Sequence, residues 1–380
     1  LTLQHGLQRT MTDPRQVNID RDPVVVFWEL TLACALACRH CRAQAQPKRS
    51  PLELSSRECF RVLEELTSFD HPPIVVLSGG DPFMRRDLFD LVEHGKGLGL
   101  PMSVAPSATE LVTRQRLQRL TDLGVSRISL SLDGSSAAVH DRFRGVEGSF
   151  ELTMKAMSQA RAVGLAFQIN TTVTRHSVED LPAIAELLAS SGAVLWDLFF
   201  LVPTGRAEAE DTISPEEHER VFGWLCDLSG QVPFSVKTTL GQHFRRVQVL
   251  RRLASEGQGL DGLAPHQLRE LYRGVPSNDG KGILFISHLG EVCPSGFLSI
   301  SAGNVRRDSV VSLYRESALF RSLRDPASLK GKCGRCPFNT ICGGCRARAY
   351  AVTGDPLAPE PYCVFQPDEA QYPSTPEAEN

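Results

Sequence analysis

The sequence predicts an α/β fold built on a parallel sheet and followed by a small cysteine-rich unit. Three observations carry that prediction. Short apolar, β-branched runs alternate six times with amphipathic helical stretches between Val24 and Arg206, and such a repeat gives parallel strands joined by right-handed crossovers. Each unusual motif falls at the carboxyl end of a strand, where ligand sites of parallel sheets lie. The cysteines gather in two groups, one near each end of the chain. An open doubly wound sheet and a partial (β/α) barrel both satisfy these observations.

Residues 1–22 are polar, contain Pro14 and lack the apolar core of a signal peptide, so they read as a loose leader. The chain opens on Leu1 rather than Met, so the encoded start is expected to differ. Residues 24–31, rich in Val and aromatic side chains, form the first strand. A cysteine loop follows. Ser55 with Glu58 three residues on makes a capping-box pattern. The next helix carries Cys59, Phe60, Leu63 and Leu66 on one face, which makes Cys59 a core residue. The second strand, 74–77, runs into Gly79-Gly80-Asp81-Pro82 and a helix with Leu88, Leu91 and Val92. Strand three, 102–105, is followed by Pro106-Ser107-Ala108-Thr109 and a helix around Leu117 and Leu120. Strand four, 125–132, ends at Asp133-Gly134 and leads to a charged loop, 140–145. A helix over 149–163 closes at Gly164. Strand five is 166–173, a helix spans 180–190, and strand six, 194–202, ends in Pro203-Thr204-Gly205-Arg206.

From 214 to 280 the pattern is helical and more charged, and Phe222, Leu225 and Cys226 share a face, so Cys226 also reads as core. Residues 282–293 form a β-hairpin turning near Leu289-Gly290, which sets a boundary near 275–280. The domain reading is therefore a leader at 1–22, a barrel with its following helices at 23–275, a cysteine-rich unit at 276–366, and a disordered acidic tail at 367–380.

At 380 residues the chain holds one large domain and a smaller one. A net charge of −3 argues against a general nucleic-acid binder. No run of about 18 apolar residues exists, so no membrane span is expected, and the reading is cytoplasmic. Of the eleven cysteines, three lie at 34–41 and five at 333–363. An odd number without a secretion signal argues for metal ligands over a disulfide framework.

Cys34, Cys38 and Cys41 stand in a CxxxCxxC spacing. Three thiolates so close cannot all pair as disulfides. They can hold three corners of an iron–sulfur cube that normally takes four cysteines, which leaves one iron open. Part of a zinc site with a distant fourth ligand, or three unrelated thiols, are the plainer readings. Gly79-Gly80-Asp81-Pro82 could bring backbone carbonyls to a ligand's amino group, or could be a tight turn with Asp81 as its cap. Arg144 could clamp a carboxylate of cofactor or substrate, or sit in a solvated salt-bridge loop. Cys333, Cys336, Cys342 and Cys345 form two CxxC pairs, with Cys363 beyond them, a set that suits zinc or iron–sulfur equally. Arg346 and Arg348 could reach substrate carboxylates or lie on a solvated helix face.

The CxxxCxxC spacing is the signature of the radical SAM enzymes, and the chain resembles them from about residue 24 to 363. The resemblance decides for a partial (β/α)6 TIM-like barrel with a small C-terminal iron–sulfur domain. It implies that Cys34, Cys38 and Cys41 hold a [4Fe-4S] cluster whose open iron binds S-adenosylmethionine, cleaved reductively to a 5′-deoxyadenosyl radical that abstracts a substrate hydrogen. It implies further cofactor-binding residues. Gly79, Gly80, Asp81 and Pro82 match the element for the methionine amino group, and His40 matches a position bordering adenine. Ser131 and Asp133 would meet ribose hydroxyls or the methionine end, Asp133 being equally able to serve as a turn residue before Gly134. Asn170 faces the core or the cleft, its polarity among apolar neighbours favouring the cleft, and Val202 would pack on adenine. No catalytic acid or base is assigned.

The C-terminal cysteines resemble the SPASM or twitch pattern. This implies one auxiliary [4Fe-4S] cluster on Cys333, Cys336, Cys342 and Cys363, with Cys345 competing for the last place. Cys293 and Cys345 are too few for a second auxiliary cluster. A finer resemblance, to the AdoMet-dependent haem synthase and haem d1 branch, rests on Cys41-Arg-Ala, Gly79-Gly-Asp-Pro, Ala105-Pro-Ser-Ala-Thr, Gln168-Ile-Asn-Thr-Thr-Val, Cys293-Pro-Ser-Gly-Phe and Cys342-Gly-Gly-Cys-Arg-Ala-Arg-Ala-Tyr350. Those relatives act on porphyrin propionates. The expected function is tetrapyrrole-related oxidative decarboxylation, with a reductant such as flavodoxin or ferredoxin. The alternatives are maturation of a ribosomally made peptide and, from another class, a non-enzymatic iron–sulfur or zinc protein.

Overall fold

The computed structural model describes residues 13–260 and 262–367. Among the described residues ten strands form one sheet: β1 (Val25–Glu29), β2 (Ile74–Ser78), β3 (Met102–Val104), β4 (Arg127–Ser131), β5 (Phe167–Val173), β6 (Leu195–Phe200), β7 (Ser235–Thr239), β8 (Ile283–Ile286), β9 (Glu291–Cys293) and β10 (Gly303–Asn304). Their order is β10-β9-β8-β1-β2-β3-β4-β5-β6-β7. From β1 to β7 every neighbour pair is parallel and consecutive in sequence. A doubly wound sheet reverses its strand order at a switch point; from β1 to β7 the order here runs one way, which makes these strands the partial barrel.

Two features lie outside the expected six strands. The segment read as helical between 214 and 280 contains β7, at one edge of the sheet. Its sequence, Ser-Val-Lys-Thr-Thr, shows little burial, so the apolar alternation of a half-buried strand is absent. It is held instead by Lys237 and Thr239, whose side chains reach Asp197 on β6 at 3.0 and 2.9 Å. At the other side β8 pairs in parallel with β1, and β9 and β10 follow antiparallel. The hairpin at 282–293 thus continues the barrel sheet.

The helices pack outside the sheet, and apolar residues from both bury between them, Cys59 among them. The capping box at Ser55 forms: its hydroxyl accepts from Glu58 N at 3.3 Å and Glu58 accepts from Ser55 N at 2.8 Å. The stretch expected as a charged loop is instead the helix Ala137–Arg144, which buries His140 and Phe143 and ends at Gly145 with φ +67°. The described half of the leader is not loose. Asp22 is buried, paired with Arg315 at 2.9 Å and His71 at 3.0 Å, and the Ile19 carbonyl accepts from the Tyr314 hydroxyl at 2.6 Å. The tail expected to be disordered lies, from 368 on, outside the described residues. Among the described residues no helix is long and apolar enough to cross a membrane.

Candidate active site

The cysteine loop leaves the carboxyl end of β1 and is gripped from two sides through its backbone. On one side Gly80 N donates to the Thr31 carbonyl and Asp81 N to the Ala33 carbonyl, both at 2.7 Å. A Cβ on Gly80 would sit 2.4 Å from the Ala33 oxygen, so only glycine allows this approach. On the other side Arg206 N donates to the Cys41 carbonyl at 3.1 Å, and Gly205, with φ +67°, leaves no room for a Cβ against the Arg42 carbonyl. Motifs at the ends of β2 and β6 therefore shape a loop that follows β1.

Cys34, Cys38 and Cys41 line one cleft at the carboxyl ends of the strands. His40, Gly79, Gly80, Ser131, Asn170 and Val202 line the same cleft. Asp81, Pro82 and Asp133 are buried behind its wall. Asp81 accepts from Phe83 N and from the Thr109 hydroxyl, each at 3.0 Å, and so caps the turn Pro82–Met84; burial pushes its carboxyl up to about 6. Asp133 accepts from Thr172 N at 2.6 Å and lies 2.6 Å from the Arg144 guanidinium, an ion pair off the hydrogen-bonding axis. Burial works against its charge, but Arg144 and the neighbouring histidines outweigh it and hold the carboxyl below its usual range. Arg144 thus meets a carboxylate of its own chain. Its other nitrogen reaches Cys38 Sγ at 3.5 Å. The His40 ring stacks on Phe143 with centroids 4.3 Å apart and leaves Nδ1 without a partner. Burial first, and Arg144 second, push it down to about 4, so it is neutral at neutral pH.

Three contributors to the cleft carry no signal that the spacing argument used. Ser107 places its hydroxyl 3.4 Å from Cys34 Sγ and donates to the Gly80 carbonyl at 2.7 Å. Arg42, next to Cys41, is held at 2.9 Å by the buried carboxylate of Glu29, which also takes His288 at 2.8 Å. The Arg42 guanidinium lies 4.8 Å from the Phe285 ring centroid, and Phe297 forms part of the cleft wall. Position at a strand end could have flagged Ser107; the Arg42 group depends on residues more than two hundred positions away.

A second, smaller cavity is lined by Cys333, Cys336, Cys342 and Cys363 together with His243, Arg246 and Lys332. Cys345 is not part of its lining. It is fully buried as the N-cap of the helix Arg346–Thr353, where its sulfur accepts from Arg348 N at 3.3 Å. Cys293 is buried on β9, and burial pushes its thiol up to about 12. Burial does the same to Cys336 and, with help from the facing thiols, pushes the Cys342 thiol up as well. Arg346 and Arg348 overturn both expectations for them, since neither is solvated and neither faces the cleft. Arg348 is fully buried against Glu360 at 3.1 Å and donates to the carbonyls of Phe200, Leu201 and Leu240. Arg346 donates to the carbonyls of Pro356 and Ala358.

The donor chemistry of both cavities fits iron–sulfur clusters. Among the described residues no three His, Cys, Asp or Glu side chains close on a single ion, whereas a cube spreads its thiolates over different irons. The first cleft offers three thiols and, among its described lining residues, no carboxylate and no fourth thiol. The second offers four.

A sequence profile described as the radical SAM superfamily matches residues 28–188. The "AdoMet-dependent heme synthase" of Methanosarcina barkeri is 38% identical over 346 residues, covering 91% of this chain and 97% of that protein. A protein of the same description from Oleidesulfovibrio alaskensis is 40% identical over 363 residues, covering 94% of this chain and 91% of its own. Among solved structures, Streptococcus suis SuiB bound to S-adenosylmethionine superposes with a TM-score of 0.71 at 16% identity, over 91% of this chain and 78% of that one, a likeness of fold alone. Profile, relatives and barrel agree: the chain is an S-adenosylmethionine-dependent iron–sulfur enzyme and belongs to the radical SAM superfamily, in the branch of the AdoMet-dependent haem synthases.

Proposed function

We propose that the enzyme removes carbon dioxide oxidatively from propionate side chains of a tetrapyrrole in haem-related biosynthesis. The observation that carries this reading is similarity over nine-tenths of the chain to relatives described as heme synthases. When bound, the cluster and S-adenosylmethionine supply a 5′-deoxyadenosyl radical able to take a hydrogen atom from an unactivated carbon. The protein binds, orients and excludes water. Cys34, Cys38 and Cys41 hold three corners of the cluster. Gly79 and Gly80 offer backbone to the methionine amino group, His40 and Val202 border the adenine, and Ser131 and Asn170 face the ribose. Asp81, Pro82 and Asp133 act from behind, Asp133 by fixing Arg144 against Cys38. Residues 276–366 form a SPASM/twitch-like unit that closes the mouth of the barrel through Phe297. In it Cys333, Cys336, Cys342 and Cys363 hold an auxiliary [4Fe-4S] cluster, leaving Cys345 to its helix cap. The enzyme works in the cytoplasm, with flavodoxin or ferredoxin as electron donor.

Anaerobic reconstitution tests the reading. About eight irons are expected, with 5′-deoxyadenosine and carbon dioxide formed together from a propionate-bearing tetrapyrrole. Deoxyadenosine coupled to a precursor peptide, with no tetrapyrrole turned over, would sink the tetrapyrrole assignment while leaving the chemistry in place.

A further inference from the structure

The auxiliary cavity contains a histidine that no described residue satisfies. His243 precedes the helix Phe244–Ser255, is fully buried, and forms part of the cavity lining beside the four thiols. Both of its ring nitrogens lack a hydrogen-bond partner among the described residues. Its remaining ring neighbours offer none: Phe222 meets it edge-on with centroids 4.6 Å apart, and His218 lies at 5.3 Å without a bond. His218 itself donates from Nδ1 to the Ser214 carbonyl at 2.8 Å. A neutral imidazole always carries one N–H. Leaving that donor buried and unpaired is costly, and native structures rarely tolerate it without a partner that binds there. What the cavity is built to hold is rich in acceptors, since a cluster presents sulfide and thiolate sulfurs.

The surroundings point the same way. Arg246 is buried at the cavity wall, and its charge acts on Cys336 and Cys363. Lys332, also in the lining, reaches the Cys363 carbonyl at 2.5 Å. Arg346 approaches Cys333 Sγ at 3.8 Å. Donors and cations that face cluster sulfurs stabilise the more negative, reduced state and so raise the reduction potential.

We propose that His243 donates its free ring N–H to a sulfur of the auxiliary cluster and makes that cluster easier to reduce. It is a positioning and tuning residue, acting through the cluster rather than on the substrate. The inference rests on the auxiliary cluster of the proposed function.

The test uses the full chain with Cys34, Cys38 and Cys41 all changed to Ala, reconstituted anaerobically so that only the second cluster remains. Iron near zero removes the auxiliary cluster and overturns the proposal with it. About four irons leave the cluster standing and isolate the question of His243. With isotopically labelled histidine ring nitrogens, pulsed EPR of the reduced cluster should show a nitrogen coupling. The added His243→Phe change should abolish that coupling and move the midpoint potential to more negative values. His243→Gln, which keeps an N–H donor, should recover part of the shift. No nitrogen coupling in the protein that retains His243, or equal midpoints with and without it, overturns the proposal. If the Phe variant takes up no iron, the coupling in the His243 protein decides alone.

Discussion

Arg144 sits at the end of a short helix with its guanidinium between two groups of opposite roles, the buried carboxylate of Asp133 and the thiol of Cys38. Division of labour between the two cysteine sets is the corresponding prediction at this scale. Cys38→Ala removes a corner from the three-thiol cleft and should abolish formation of 5′-deoxyadenosine. Cys336→Ala opens the four-thiol cavity instead. It should lower product formation while some uncoupled cleavage persists. Parallel assays of deoxyadenosine and product check this, and equal total loss in both variants would contradict it.

At the scale of elements, the cleft is made by close backbone approach. Gly80→Ala puts a methyl 2.4 Å from the Ala33 carbonyl oxygen, a rigid neighbour. The cysteine loop must then move, and iron content after reconstitution should fall from about eight to about four, the auxiliary cluster surviving. Retention of all the iron would show that the loop adapts. The helices Ser56–Leu66 and Leu88–Gly97 are joined near the same end of the barrel by Asp87, which accepts from Arg85 at 2.8 Å and from the Ser56 hydroxyl at 2.7 Å. Arg85 in turn donates to the carbonyls of Leu30 and Leu54. Burial alone would raise the Asp87 carboxyl, but these bonds win and hold it at about 2, against an ordinary 3.8. A depressed carboxyl stabilises the fold above the unfolded value, and that contribution disappears as pH falls from 3.8 through about 2. Because Asp87 is partly exposed, the contribution is on the order of 1–2 kcal/mol. Asp87→Asn should be less stable at neutral pH and should show a correspondingly shallower loss of stability over that acid range, measured by urea unfolding of iron-free protein.

At the scale of the whole molecule, Arg348 ties the C-terminal cysteine unit to the barrel. One fully buried guanidinium holds Glu360 and the carbonyls that end β6 and begin the segment after β7. Removing one partner of such a pair leaves the other charge buried, which typically costs about 3–5 kcal/mol. Arg348→Leu should therefore destabilise the iron-free protein by about that amount in urea unfolding, far more than a change at an exposed residue. Arg348→Leu with Glu360→Met should recover much of the loss. If the single variant behaves like a surface substitution, the tie is not what holds the unit in place.

Local periodicity and covalent spacing were enough to read six strand–helix units, the capping box at Ser55 and the two cysteine groups, because each is fixed by residues a few positions apart. The strand-end rule then put Gly79, Gly80, Ser131 and Asn170 at one cleft. What depends on distant partners stayed hidden. The strand β7 escaped because a solvated edge needs no apolar face, and the helix Ala137–Arg144 escaped because its charges read as a loop. Asp81 and Asp133 are acidic residues beside a binding motif, yet tertiary packing turned both inward to a hydroxyl, a backbone amide or an arginine. Cys345 lies within the cysteine motif, but the helix it caps faces it away from the other thiols. The sequence by itself determined the strand–helix repeat and the two cysteine groups, since these rest on short-range pattern, and its family resemblance chose the partial barrel and iron–sulfur chemistry from the alternatives that pattern left open. Only the tertiary structure decided which polar groups look into each cavity, because burial and ion pairing are settled by how separate elements pack against one another.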